Sequence, residues 1–169
     1  MKEMKMTARF HVLAWAAAMT LTTAPHVSAG DEKILEGSYR LVKRVLPSGK
    51  EVKYPDIVGF MTYTKTERNF NIMWKDPKGA PASLSLISTY TLSGGEYCEK
   101  PVYWMQNNMG VSGIFYEWPK EKKACADVAT DDESTSFDVP GEPERMRFIR
   151  DGFVATAKDM WTDTWKRVE

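Results

Sequence analysis

Phe70-Asn71-Ile72-Met73-Trp74-Lys75, followed by Asp76-Pro77-Lys78-Gly79 and then by the run Leu84 to Leu92, is the stretch on which the fold turns. In the first run Phe70, Ile72 and Trp74 alternate with Asn71, Met73 and Lys75, the period of two of a strand with one buried face. Asp-Pro-Lys-Gly is a turn, because proline presets its own φ and glycine accepts a positive one. Beyond it Leu84, Leu86, Tyr90 and Leu92 share one face, and Ser85, Thr89 and Thr91 the other. Two alternating runs joined by a turn predict an antiparallel pair. No segment sustains a 3.6-residue period, so a helix here would have to be short.

Outward from this pair the same grammar repeats. Gly37 to Leu46 is rich in Tyr, Val and Leu and ends at Pro47-Ser48-Gly49, a turn into Lys50 to Tyr54. Ile57 to Thr64 is β-branched and aromatic, and Glu67-Arg68-Asn69 offers the turn into the run at Phe70. Gly94-Gly95 breaks the chain before Tyr97 to Gln106, Asn107 to Gly110 turns it, and Val111 to Trp118 follows with Phe115 as a core residue. Pro119 stops that strand because it lacks the amide a ladder needs. Residues 120–143 are polar and read as a long surface loop with one short strand at Thr135 to Val139. Arg145 to Ile149, a turn at Asp151-Gly152, Phe153 to Lys158, a turn near Asp159 and Trp161 to Val168 close the chain. Eight to ten strands joined by tight turns suit an all-β, antiparallel up-and-down barrel or a sandwich, and the barrel is the expectation, since closure removes exposed edges.

The start of the chain reads differently. Lys2, Lys5 and Arg9 precede an apolar run from His11 to Leu21, and Val27-Ser28-Ala29 supplies small residues for a signal peptidase. The run is too short to span a bilayer, so residues 1–29 read as a signal peptide and residues 30–169 as one secreted or periplasmic domain without a membrane anchor. Residues 1–29 hold three of the 23 basic and one of the 23 acidic residues, which leaves the remainder at −2. So balanced a chain carries no electrostatic footprint for nucleic acid.

Cys98 and Cys125 both survive cleavage, and an oxidising compartment favours joining them in a structural disulfide, worth roughly 3 kcal/mol in the chain-entropy model. Both histidines, His11 and His26, fall inside the signal. A chain without imidazole runs no Ser-His-Asp or Cys-His mechanism and builds no His-ligated zinc, copper or haem site. Any enzyme would have to work with carboxylates, Tyr or Lys.

Three patches carry a family resemblance. Gly37-Ser38-Tyr39-Arg40-Leu41-Val42 resembles the opening strand of bacterial secreted lipocalin-like (calycin-type) proteins, with Tyr39 where that family has tryptophan. Thr164-Trp165-Lys166-Arg167-Val168 resembles their closing strand, and Thr89 to Gly94 with Tyr97 and Glu99 resembles their Tyr-x-Leu-x-Gly hairpin followed by Tyr-x-Glu. The resemblance implies an eight-stranded barrel with an internal cavity for a small hydrophobic molecule, closed by packing of Tyr39, Trp165 and Arg167. It implies no reaction, and the polar stretch 120–143 has no counterpart in it.

On the alternating faces, Phe70, Trp74, Tyr90, Tyr103 and Phe115 are the candidate pocket lining. The same residues equally suit a filled interior, since a small barrel can be packed entirely by side chains. Glu99 and Glu117 lie within strands; inside a cavity they would form an acid/base pair, but strand carboxylates ordinarily face water. Asp127 to Glu133 lacks the spacing and glycine of a calcium loop. Trp161 and Trp165, with Trp104 and Trp118, suit core packing better than an exposed platform for sugar or protein, and the methionines are scattered as core fillers rather than gathered as soft-metal ligands. The expectation is therefore of an exported barrel that binds a small hydrophobic molecule in its interior, with no catalytic residue, metal or cofactor. The alternatives are a cavity enzyme using Tyr and carboxylates and an envelope module for protein or glycan.

Overall fold

The computed structural model describes residues 32–76, 78–109, 112–117 and 123–168. The expected signal, residues 1–29, lies outside the described residues.

A one-turn helix α1 (Glu32–Leu35) leads into β1 (Gly37–Val45), β2 (Glu51–Val52), β3 (Ile57–Tyr63), β4 (Glu67–Lys75), β5 (Pro81–Ser93), β6 (Glu96–Asn107), β7 (Ile114–Glu117), β8 (Ala124–Thr130), β9 (Thr135–Asp138), β10 (Glu144–Ile149), β11 (Gly152–Ala157) and β12 (Trp161–Val168). Every strand pairing is antiparallel, and β12 returns to β1, with Ser38 opposite Val168 and Leu41 opposite Trp165. Ten strands thereby close a ring in the order β1, β3, β4, β5, β6, β8, β9, β10, β11, β12. Short β2 pairs with the end of β1, and β7 flanks β6 outside the ring. The all-β antiparallel barrel expected from the alternating runs is the observed fold. Its ring has ten strands where the family resemblance implied eight.

The extra wall comes from the stretch read as a polar loop. Within 120–143 lie the unexpected β8 and then β9, the short strand expected at Thr135 to Val139, which together form a hairpin that bridges β6 to β10. Its sequence hides this because β8, Ala-Cys-Ala-Asp-Val-Ala-Thr, has short or polar side chains and is exposed along most of its length. Pairing is secured covalently, since Cys98 on β6 stands opposite Cys125 on β8 and the two form a disulfide.

A second difference matters more for the interior. Glu67-Arg68-Asn69 is not a turn but the start of β4; the chain reverses one step earlier, where the Thr64 hydroxyl oxygen accepts the backbone N–H groups of Thr66 and Glu67. The period of two at Phe70, Ile72 and Trp74 therefore extends back to Arg68, which is buried.

Aromatic rings close one end of the barrel. Tyr97 stacks on Phe137 at 4.1 Å, Tyr63 meets Tyr90 edge-on at 5.3 Å, and Tyr39 meets Phe153 at 5.0 Å. Such pairs add about 0.5–1.5 kcal/mol each beyond the area they bury. α1 sits beneath them: Leu35 is fully buried, its carbonyl accepts the Tyr39 hydroxyl at 2.9 Å, and Arg167 donates to the Ile34 and Glu36 carbonyls. The Arg167 guanidinium lies over the Tyr39 ring at 5.0 Å. Gly59 on β3 admits the ring of Trp165, because a Cβ there would lie 2.5 Å from its Cη2 and 2.9 Å from the Leu41 Cβ.

Candidate functional site

Above the aromatic layer the interior turns polar. Arg68 reaches from β4 across the barrel and donates through Nη1 to Glu99 Oε2 on β6 at 2.9 Å and through Nη2 to Glu142 Oε2, in the turn between β9 and β10, at 3.4 Å. Tyr97 donates to the same Glu99 oxygen at 2.7 Å, and the Ser88 hydroxyl donates to the other. Burial alone would favour a neutral guanidine at Arg68, but the Glu99 and Glu142 carboxylates outweigh it and hold the group charged. Glu99, expected to face water, is thus buried as the counter-ion of Arg68. A carboxylate held by three donors is positioned as structure rather than as a free base.

Glu144, at the start of β10, has no such cation of its own. Burial, and then the adjacent Glu142 carboxylate, raise its pKa from 4.5 to about 7, with Arg68 pulling the other way. Further up the barrel Arg44 forks onto Asp163 with two hydrogen bonds of 2.7 Å, and its guanidinium packs over Trp161 at 4.4 Å and near Trp74 at 5.8 Å. Burial pushes the Asp163 carboxyl up and the Arg44 pair pulls it down, the first being the larger.

Side chains fill the interior between these two layers. Arg68, Phe70, Met146, Glu144, Trp161 and Trp165 are among the residues around a void of only about 20 Å³, roughly the room one water needs. The sequence left a filled and an open barrel equally balanced, and the interior is filled. The larger room lies at the mouth opposite α1, where Arg44, Leu46, Val52, Ile57 and Trp74 wall a hollow of about 790 Å³. Its rim is laced with ion pairs: Lys43 and Lys53 on Glu51, and Lys75 on Asp56 at 2.6 Å. Hydrogen bonds from Lys43 and Lys53 lower the Glu51 pKa to about 2, and Lys75 lowers that of Asp56.

The candidate lining residues divide. Trp74 walls the mouth and Phe70 the inner void. Tyr90 is buried in the closed-end aromatic layer and donates to the Thr64 carbonyl at 2.5 Å. Tyr103 does not face inward. A register shift between Ile87 and Ser88 turns β6 over by one residue, so Tyr103 stands opposite outward-facing Ile87, while Trp104 stands opposite buried Leu86. Phe115 is not core either; it is 49% exposed with Ile114 and Tyr116, because β7 lies outside the ring. Trp165 is buried and Trp161 and Trp104 are half-buried, so the three form no exposed platform. Trp118 and the side chain of Glu117 lie outside the described residues.

Arg68, Glu142, Glu144, Arg44 and Asp163 are the interior groups that sequence reasoning missed. For Arg68 the signal was present, as the backward continuation of the Phe70-Ile72-Trp74 alternation. For Glu142 and Glu144 it was not, because a polar segment that folds inward looks like one that stays in water. Among the described residues no group of three or more Cys, Asp and Glu side chains is placed to hold a metal ion.

No protein-family model matches the chain, and no curated protein matches it either. Among solved structures it is similar to a lipocalin-like protein from Bacteroides uniformis ATCC 8492, at 15% identity and a TM-score of 0.32, over 80% of this chain and 99% of the other. With so low a score, the barrel rests on its own strand register, in which β12 pairs with β1 over Ser38 to Val45.

Proposed function

We propose that the chain is an exported binding protein, freed of residues 1–29 on secretion, that holds a small, mainly apolar molecule at the open mouth of its barrel. The observation that carries this reading is the hollow of about 790 Å³ walled by Leu46, Val52, Ile57 and Trp74 above the Arg44 guanidinium. Sites for small ligands commonly occupy about 300–1,000 Å³, are walled by apolar and aromatic side chains, and occur at barrel mouths. The packed interior, with about 20 Å³ to spare, favours the rim over the barrel's inside, where the resemblance would put a ligand. The paired lysines and carboxylates of the rim favour a ligand without large net charge.

The test is native mass spectrometry of the chain from residue 30 onward, incubated with fatty-acid, isoprenoid and tetrapyrrole pools, followed by tryptophan-fluorescence titration of any ligand retained. Trp74→Ala is expected to weaken binding at least tenfold. Retention of no apolar molecule, or binding that Trp74→Ala and Val52→Asp leave unchanged, overturns the reading.

A further inference from the structure

Three of the buried polar atoms that find no protein partner belong to residues around the same inner void: Arg68 Nε, Trp165 Nε1 and Glu144 Oε2. Arg68 and Trp165 are 3% and 2% exposed, so neither N–H reaches bulk solvent. A buried donor without an acceptor costs about 1–3 kcal/mol, and native interiors leave few of them unpaired. The chemistry of the three atoms specifies what would satisfy them. Two are obligate donors, so the occupant must accept twice, which a metal ion cannot do. The third is a carboxyl oxygen, and Glu142 and Asp163 also border the void, so an anion would meet repulsion on that side. A neutral hydroxylic group both accepts and donates, and one water characteristically makes about three hydrogen bonds in a buried site.

We propose that the inner void is a specific site for one water molecule, which accepts from Arg68 Nε–H and Trp165 Nε1–H and donates to Glu144 Oε2. Its room of about 20 Å³ matches the need of a single water. The water joins the Arg68–Glu99–Glu142 network to the β12 wall, so the polar layer becomes continuous across the barrel. This site is separate from the mouth, and its fate does not depend on whether the mouth binds a ligand.

The experiment is water–protein NOE spectroscopy of the ¹⁵N-labelled chain from residue 30 onward, without ligand, read at the Trp165 indole N–H. A cross-peak with the sign of a long-lived bound water is expected, together with its loss in Ala155→Val, which extends a side chain from the void's own lining. No cross-peak in the wild-type protein overturns the proposal, and so does a cross-peak that persists in Ala155→Val. If Ala155→Val fails to fold, a high-resolution crystal structure of the wild-type chain decides: density for one water within hydrogen-bond distance of both donors supports the site, and a direct protein acceptor at either donor overturns it.

Discussion

Replacing Glu144 by glutamine removes a carboxyl whose pKa is raised to about 7 from an ordinary 4.5, while keeping its shape and its place beside Glu142 and Arg68. In the folded chain burial and the Glu142 charge favour the protonated acid. In the unfolded chain the group ionises at its ordinary value. Between the two values the folded state binds the extra proton, so stability is greatest below about 4.5 and is lost as the pH rises through about 7. Integrated from pH 5 to pH 8 this amounts to a ceiling of about 2.5 kcal/mol, which partial exposure of the group reduces to about 1–2 kcal/mol. With both histidines at positions 11 and 26, the chain from residue 30 has no imidazole to obscure the effect. Urea unfolding followed by tryptophan fluorescence at pH 5 and pH 8, at matched ionic strength, measures it. The wild-type chain is expected to lose about 1–2 kcal/mol across that interval and Glu144→Gln to lose a few tenths at most. Equal pH dependence in the two proteins, or a wild-type stability that rises with pH, would refute the placement of Glu144 in a buried anionic pair.

Arg68→Leu leaves Glu99 buried without its cation and is expected to destabilise the chain by about 3–5 kcal/mol, with part of the loss recovered in the Arg68→Leu, Glu99→Leu double variant; recovery of nothing would count against the pair. Gly59→Ala drives a Cβ toward Trp165 and Leu41 and is expected to cost about 1–3 kcal/mol in urea unfolding, whereas the same change at Gly79, with open space around it, tests only its positive φ. Cys98→Ser with Cys125→Ser opens a loop with a sequence separation of 27 and is expected to lower stability by about 3 kcal/mol while leaving the far-ultraviolet dichroism of the folded chain unchanged; a collapse of strand signal under native conditions would show that β8 depends on the bridge for more than stability.

Strand type was legible wherever a strand has one wet and one dry face. Phe70, Ile72 and Trp74, and Leu84, Leu86, Tyr90 and Leu92, announce their faces because a period of two is the only way a pleated chain can divide water from core. The same signal fails in two situations found here. β8 carries mostly alanines with aspartate and threonine, and Val128 is its one large aliphatic packed against the core, so its small burial leaves little hydrophobic trace and its membership of the ring was invisible. β6 keeps its alternation only up to the bulge opposite Ile87 and Ser88, after which every inward residue shifts by one and Tyr103 gives way to Trp104. A one-residue slip is a local backbone event with no residue type of its own.

By itself the sequence determined that this chain is an all-β antiparallel protein, that it carries no histidine after residue 29, and that it holds two cysteines. These follow from periodicity and composition, which are properties of the chain read along its length. Closure of the ring at β1 and β12, the packing of its interior and the gathering of Arg68, Glu99, Glu142 and Glu144 were decided only in three dimensions. The physical reason is that a charged side chain reads as a surface residue until the structure supplies its partner: Arg68 and Glu99 are 31 positions apart, and neither alone has cause to leave water.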